Sequence, residues 1–209
     1  MRARAAFCLP LCLVLLLAAA SPPTPADGAA PRVEGKHRTA ILLVAHDDLS
    51  DSDFADSVVL VVNNVGFPSP VGVIVNRPTP LTVSQLVARF FPHFNRFEAL
   101  QGKVYFGGPV ELDSVWFLFR AARAPARAKQ AFDGVYLSDN RDLLAQLLAR
   151  DKPMDGLKIF IGHSGWAPGQ LQAEIARGDW TVKDAESNAI FNSKPEHPWP
   201  APQNEQHAA

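Results

Sequence analysis

Three short, almost unbroken apolar runs, Thr39 to Ala45, Ser57 to Val62 and Val71 to Val75, follow one another with no helical pattern between them. Each is rich in Val, Ile and Leu and is bounded by polar clusters, the pattern of strands buried on both faces. The third is reached through the turn-forming Gly66-Phe67-Pro68-Ser69-Pro70 and ends at Asn76-Arg77-Pro78, where proline is expected to stop ladder pairing. A regular alternation of strand and crossover helix does not begin this way.

Helical patterns enter only later. Thr82-Val83-Ser84-Gln85 has the form of a capping box, and Val83, Leu86, Val87 and Phe90 share one face, which predicts a helix over 83–91. Lys103 to Phe106 and Val115 to Phe119 read as strands flanking Gly107-Gly108-Pro109, and Val135 to Leu137 as another. Ser138 is placed to cap a helix that carries Leu143, Leu144, Leu147 and Leu148. Leu157 to Ile161 reads as an apolar strand feeding Gly162-His163-Ser164-Gly165-Trp166, taken as a tight connection. Pro168 suits the first turn of a further helix, Leu171 and Ile175 mark its buried face, Gly178 suits its end, and Trp180 to Val182 returns as a strand. Consecutive strands with intermittent helices imply an α+β fold.

The ends of the chain are different in kind. Arg2 and Arg4 precede an apolar run from Ala5 to Ala20, with Ala18-Ala19-Ala20 at its close, so residues 1–20 read as a secretory signal peptide. About 16 apolar residues is short of the roughly 20 that span a bilayer, so cleavage is favoured over a retained anchor. Cys12 follows Leu9-Pro10-Leu11, which lacks the small residues of a lipoprotein site. Both cysteines, Cys8 and Cys12, would leave with the leader, and with them any disulfide or thiolate chemistry. Residues 21–38 read as a Pro/Ala-rich linker, 39–199 as one domain with room for a sizeable core, and 200–209 as a tail. Losing Arg2 and Arg4 leaves 18 basic residues against 21 acidic, a formal charge of −3, which gives no electrostatic case for nucleic acid.

Chemistry-bearing patterns are few. Gly162-His163-Ser164-Gly165-Trp166 approaches a nucleophile elbow, but Trp166 stands where the second glycine belongs, and His197 and His207 lie in a proline-rich tail. His163 and Ser164 are adjacent at a strand end and should project to opposite faces, which spoils them as a base and nucleophile pair. The acidic residues Asp47, Asp48, Asp51, Asp53 and Asp56 lack the glycine and terminal glutamate of a calcium loop, and no metal site is expected. Gly107-Gly108-Pro109 lacks the Lys-Ser/Thr of a phosphate loop, and no cofactor is expected. Arg120, Arg123, Arg127 and Lys129 read as a solvated basic patch. Arg77 could hold a carboxylate bidentately, although an internal ion pair to Glu111 or Glu174 is the preferred reading. Trp166 and Trp180 bracket the last helix, each with an indole N–H to satisfy. A cleft formed by Arg77, Gly107, Gly108 and Trp166 is the expected ligand or partner surface.

Six blocks then line up in order: Leu42-Leu43-Val44-Ala45, Asp51 to Leu60, Gly72-Val73-Ile74-Val75-Asn76-Arg77-Pro78-Thr79, Val104-Tyr105-Phe106-Gly107-Gly108-Pro109-Val110, Gly134-Val135-Tyr136-Leu137-Ser138 and Gly162 to Trp180. Together they resemble the YqgE/AlgH family of bacterial proteins. The resemblance implies a single α+β domain in which a bifurcated mixed β-sheet folds into a pseudo-barrel with helices packed outside. It implies no established catalytic activity, and an association with regulation of alginate production without a DNA-binding module. Against the family pattern, the leader is unusual, Asn63-Asn64 stand where many members carry His, and Gly-Tyr-Ala-Gly-Trp becomes Gly162-His163-Ser164-Gly165-Trp166. Prolines from Pro195 onward imply a C-terminal helix that is shortened or lost.

The expectation is therefore an exported, periplasmic or secreted non-enzymatic binding or regulatory protein whose partner is an unknown small molecule or protein. The alternatives are a hydrolase using Ser164, a homo-oligomeric scaffold, and the cytoplasmic location usual for the family.

Overall fold

The computed structural model describes residues 40–46, 49, 53–63, 69–91 and 100–192. The expected leader, the linker, the tail with His197 and His207, and Asp47, Asp48 and Asp51 lie outside these residues. In chain order the elements are β1 (Ala40–Ala45), β2 (Val58–Val62), β3 (Val71–Ile74), β4 (Pro78–Thr82), α1 (Val83–Phe90), β5 (Lys103–Phe106), β6 (Val110–Arg120), β7 (Lys129–Phe132), β8 (Val135–Ser138), α2 (Arg141–Leu148), β9 (Leu157–Gly165), α3 (Gln170–Arg177), β10 (Trp180–Asp184) and α4 (Ser187–Asn192).

The strands form one sheet in the order β10-β1-β2-β3-β9-β6-β8-β7, with β4 and β5 as a branch. The branch point is β9. Over Ile159 to Ile161 it pairs in parallel with Val104 to Phe106, whereas at Ser164 and Gly165 the same edge pairs with Gly72 and Val71. Its other edge runs along β6 throughout, from Leu157 opposite Phe119 to His163 opposite Val110. The sheet is mixed and bifurcated, as the family resemblance implied.

Side-chain alternation shows how it curls. Leu42, Val44, Leu60, Val73, Trp116, Leu118, Leu137 and Phe160 share one buried cluster, so the inner faces of β1–β3 and of β6, β8 and β9 close on the same core. The intervening residues form two outer clusters. Phe117, Phe119 and Ile159 pack under Leu86 and Val87 of α1 and Leu144 and Leu147 of α2, while Leu43, Val59 and Ile74 pack with Trp166, Trp180 and Leu171 of α3. The result is a half-barrel with α1, α2 and α3 outside.

Local signals explain most boundaries. The Thr82 hydroxyl accepts from the Gln85 N–H and the Gln85 side chain accepts from the Thr82 N–H, the capping box expected for α1. Gly178 ends α3 in the left-handed region at φ 87°. At α2 the cap is Asn140, whose side chain accepts from the Leu143 N–H; Ser138 instead ends β8 and donates to the Arg127 carbonyl. Pro168 lies before the α3 N-cap, Gly169, and so outside the first turn. Two strands, β4 and β7, and the short helix α4 add to the expected elements.

Candidate functional site

The motif Gly162 to Gly165 is not a turn. It is the continuation of β9, kinked at Gly162, where φ is 66°. The kink interlocks with Gly107-Gly108-Pro109. The Gly107 N–H donates to the Ile161 carbonyl, the Gly107 carbonyl accepts from the Ile74 N–H, and the Ser164 hydroxyl donates to that carbonyl at 3.1 Å. A Cβ on Gly108, itself at φ 146°, would stand 2.4 Å from Ser164 Oγ and 2.5 Å from the His163 carbonyl oxygen. The glycines let two backbones meet where the sheet forks, which is their reason for being glycine.

Ser164 is fully buried in this junction, and His163 leaves on the other side. The imidazole lies tilted against Trp116, ring centroids 5.3 Å apart, on the inner-core side, with Nδ1 3.9 Å from a Glu111 carboxylate oxygen and no hydrogen-bond partner among the described residues. Burial lowers its pKa, opposed by the charges of Glu111 and Asp139. Glu111 sits in the irregular stretch of β6 at φ 49°, a left-handed conformation uncommon outside glycine.

Arg77 pairs with neither Glu111 nor Glu174. Its guanidinium donates to the carbonyls of Asp53 at 2.5 Å and Ala55 at 2.6 Å and to the Ser57 hydroxyl at 3.0 Å, and lies 5.7 Å from the Phe106 ring centroid. Asn76 extends this clasp, accepting from the Val58 N–H and donating to the Asp56 carbonyl. These contacts tie the 53–57 turn to the start of β4. Fixed donors in a planar fork suit several carbonyls of one turn, a task arginine performs and lysine does not.

Trp166 is 5% exposed, with its ring edge above Gly72, where a Cβ would come within 2.9 Å. Its indole N–H donates to Glu174 Oε2 at 2.8 Å; the Trp180 indole donates to the same oxygen at 2.9 Å, and the Gln170 amide takes Oε1. One carboxylate thus closes α3 onto both tryptophans. Of the four residues expected to line a cleft, Arg77 clasps a turn, Gly107 and Gly108 are interlocked with β9, and Trp166 is packed in the outer core with Phe106 at its margin.

The remaining candidates disperse. Arg127 pairs with Asp142 at 3.1 Å, whereas Arg120 turns to α4. Among the described residues no group of three His, Cys, Asp or Glu could hold a metal ion, and no helix is long and apolar enough to cross a membrane.

A forked half-barrel with glycine-locked strands and a tryptophan-anchored outer helix defines a class of single-domain α+β proteins. The chain belongs to the YqgE/AlgH family: the family model described as DUF179, AlgH-like, matches residues 42–208. A UPF0301 protein of Anaeromyxobacter sp. strain Fw109-5 is 34% identical over 165 residues, covering 75% of this chain and 82% of the relative. One of Streptomyces avermitilis is 36% identical over 171 residues, covering 77% and 82%. The solution structure of AlgH from Pseudomonas aeruginosa superposes with a TM-score of 0.63 at 25% identity, covering 76% of this chain and 82% of that one. The crystal structure of DIP2367 from Corynebacterium diphtheriae gives 0.55 at 23% identity, covering 75% and 81%, a likeness of fold.

Proposed function

We propose that this protein is a non-enzymatic binding or regulatory protein and that Ser164 is not a nucleophile. The observation that carries this reading is the state of Ser164. Its hydroxyl is fully buried, donates to the Gly107 carbonyl, and faces away from the imidazole of its neighbour. A nucleophile needs its proton within reach of a base and its oxygen within reach of a substrate, and Ser164 has neither. The regulatory half of the reading draws on the resemblance to AlgH.

Treatment with a fluorophosphonate probe followed by intact mass measurement tests the proposal. No adduct on Ser164 is expected; a stoichiometric adduct there overturns it. Among the residues first read as a ligand surface, Arg77 is only half-buried and carries charge, so we keep it as that surface's anchor. A ligand held there would raise the thermal midpoint of the wild type and not of Arg77→Ala.

We also propose export, on the strength of Arg2, Arg4, the apolar run from Ala5 to Ala20 and its small-residue close. N-terminal sequencing from the native host should find a mature chain beginning near Ser21. An intact Met1 in the cytoplasm refutes it.

A further inference from the structure

We propose that the inner face of the half-barrel binds an apolar carboxylate, with Lys158 receiving the carboxylate and helix α4 as the segment the ligand displaces. This names a ligand class for the binding reading above and rests on it.

Lys158 lies on the inner face of β9, opposite Leu118 and two residues from Phe160, and is 7% exposed. Lysine is almost never buried without a charged partner. Among the described residues its Nζ donates to one acceptor, the Ile190 carbonyl at 3.1 Å, and stands 4.0 Å from the Tyr105 ring centroid. Neither contact supplies a full negative charge. An ammonium has three N–H donors, and a carboxylate, with two acceptor oxygens and a full charge, answers it where a single carbonyl does not. Burial lowers the Lys158 pKa to about 8, the direction of a cation that lacks its counter-ion.

The carbonyl now facing Lys158 belongs to a removable piece. Helix α4 has six residues, far fewer than an isolated helix needs for stability in water. The Ile190 side chain is fully buried in the inner core, with Phe191 packed at its edge, and among the described residues the helix's side-chain hydrogen bonds to the wall, apart from that of Lys158, come from Arg120. Arg120 donates through Nε to the Ser187 hydroxyl at 2.9 Å and through Nη2 to the Ser187 carbonyl at 3.4 Å and Asn188 Oδ1 at 3.2 Å, and its guanidinium stacks 4.8 Å from the Phe191 ring centroid. Withdrawal of α4 therefore does two things together. It frees the Lys158 ammonium, and it leaves an apolar space shaped by Ile190 beside Leu118 and Phe160. A carboxylate joined to an aliphatic body fills both vacancies. A neutral or cationic body of equal size fills only the second.

Titration of octanoate into the full chain, followed by amide chemical shifts and calorimetry with octanol and octylamine as controls, tests this. Octanoate should bind at least tenfold more tightly than either control, and Lys158→Met should abolish that preference. At pH 8.5 binding should take up a proton, read from the dependence of the heat on buffer, because pairing restores the ammonium. Arg120→Ala and Phe191→Ala each loosen the clamp and should tighten octanoate several-fold, since the open state is more populated before binding. Equal affinity for octanoate and octanol, or an unchanged preference in Lys158→Met, overturns the site. Unchanged affinity in both clamp variants overturns displacement of α4. These failures are distinct from that of the non-catalytic reading, which falls to a Ser164 adduct and does not depend on octanoate.

Discussion

Glu174 on α3 accepts the indole N–H of Trp166 at 2.8 Å, and this places a carboxylate oxygen against a tryptophan that is 5% exposed. The same oxygen accepts from Trp180, so a single truncation orphans two buried donors. A hydrogen bond to a charged group contributes roughly 1.5–3 kcal/mol, but Glu174 is only half-buried and water can partly replace it. Glu174→Ala should cost about 2 kcal/mol in urea unfolding followed by tryptophan fluorescence. Glu174→Gln, which keeps an oxygen acceptor, should cost less than half of that, and equal losses would show that the oxygen is not the bond that matters.

Gly108 tests the fork. A Cβ there would approach both Ser164 Oγ and the His163 backbone within 2.5 Å, and φ 146° strains any other residue. Gly108→Ala should destabilise by about 3 kcal/mol or prevent folding, by the usual scale for overpacking added to backbone strain. Adding Ser164→Ala should not rescue it, because the His163 carbonyl remains in the way. Ser164→Ala alone should cost only about 1 kcal/mol, since the Gly107 carbonyl still accepts from Ile74. Soluble yield and urea midpoints of the three variants decide the matter; full rescue in the double variant would place the clash at the hydroxyl alone.

The chain announced its fold more fully than its site. The apolar runs of β1, β2 and β3 and the capping box of α1 were legible because burial on both faces and a four-residue cap leave local signals. Strand β4 was hidden by Pro78 and Pro80; among the described residues it pairs only with β5, in an irregular register, where missing N–H donors are tolerated. Strand β7 hid because it is an edge that sends only Ala131 fully into the core. The polar pair His163 and Ser164 made the end of β9 look like a turn, since hydropathy cannot show that both are buried. At the site, the ion pair of Arg77 to Glu111 or Glu174 does not form; its partners, the carbonyls of Asp53 and Ala55, like the Glu174 carboxylate that holds Trp166, are set by tertiary contacts. Lys158, a lysine inside the otherwise apolar run Leu157 to Ile161, was a legible mark of a charged group within a buried strand.

Arg77 should not tolerate lysine. Three of its contacts diverge to Asp53, Ala55 and Ser57, and an ammonium on a flexible stem does not reach all three in the geometry of a planar fork. Arg77→Lys and Arg77→Ala should both lower the urea midpoint by an amount equivalent to about 1–2 kcal/mol, with faster amide exchange confined to residues 53–58. Recovery of wild-type exchange in Arg77→Lys would mean that charge alone holds the turn.

Lys158 predicts a pH dependence of opposite sign to that of paired surface lysines. Its pKa falls from 10.5 in the unfolded chain to about 8 in the folded one, because burial penalises the ammonium. Below pH 8 both states hold the proton and the penalty, about 3 kcal/mol at 1.36 kcal/mol per unit, is present in full. Between pH 8 and 10.5 the unfolded chain binds more protons, so unfolding free energy rises with pH across that window. Above pH 10 the neighbouring Tyr105 opposes the trend, since burial raises its pKa and the unfolded state then ionises first. Stability measured by urea unfolding should therefore climb from pH 7.5 to about 10 and fall beyond it. Lys158→Met should be more stable than the wild type at pH 7 and lose the climb. A wild-type profile that declines steadily from pH 8 would mean that the ammonium is stabilised where it lies, and with it the vacancy for a carboxylate would disappear.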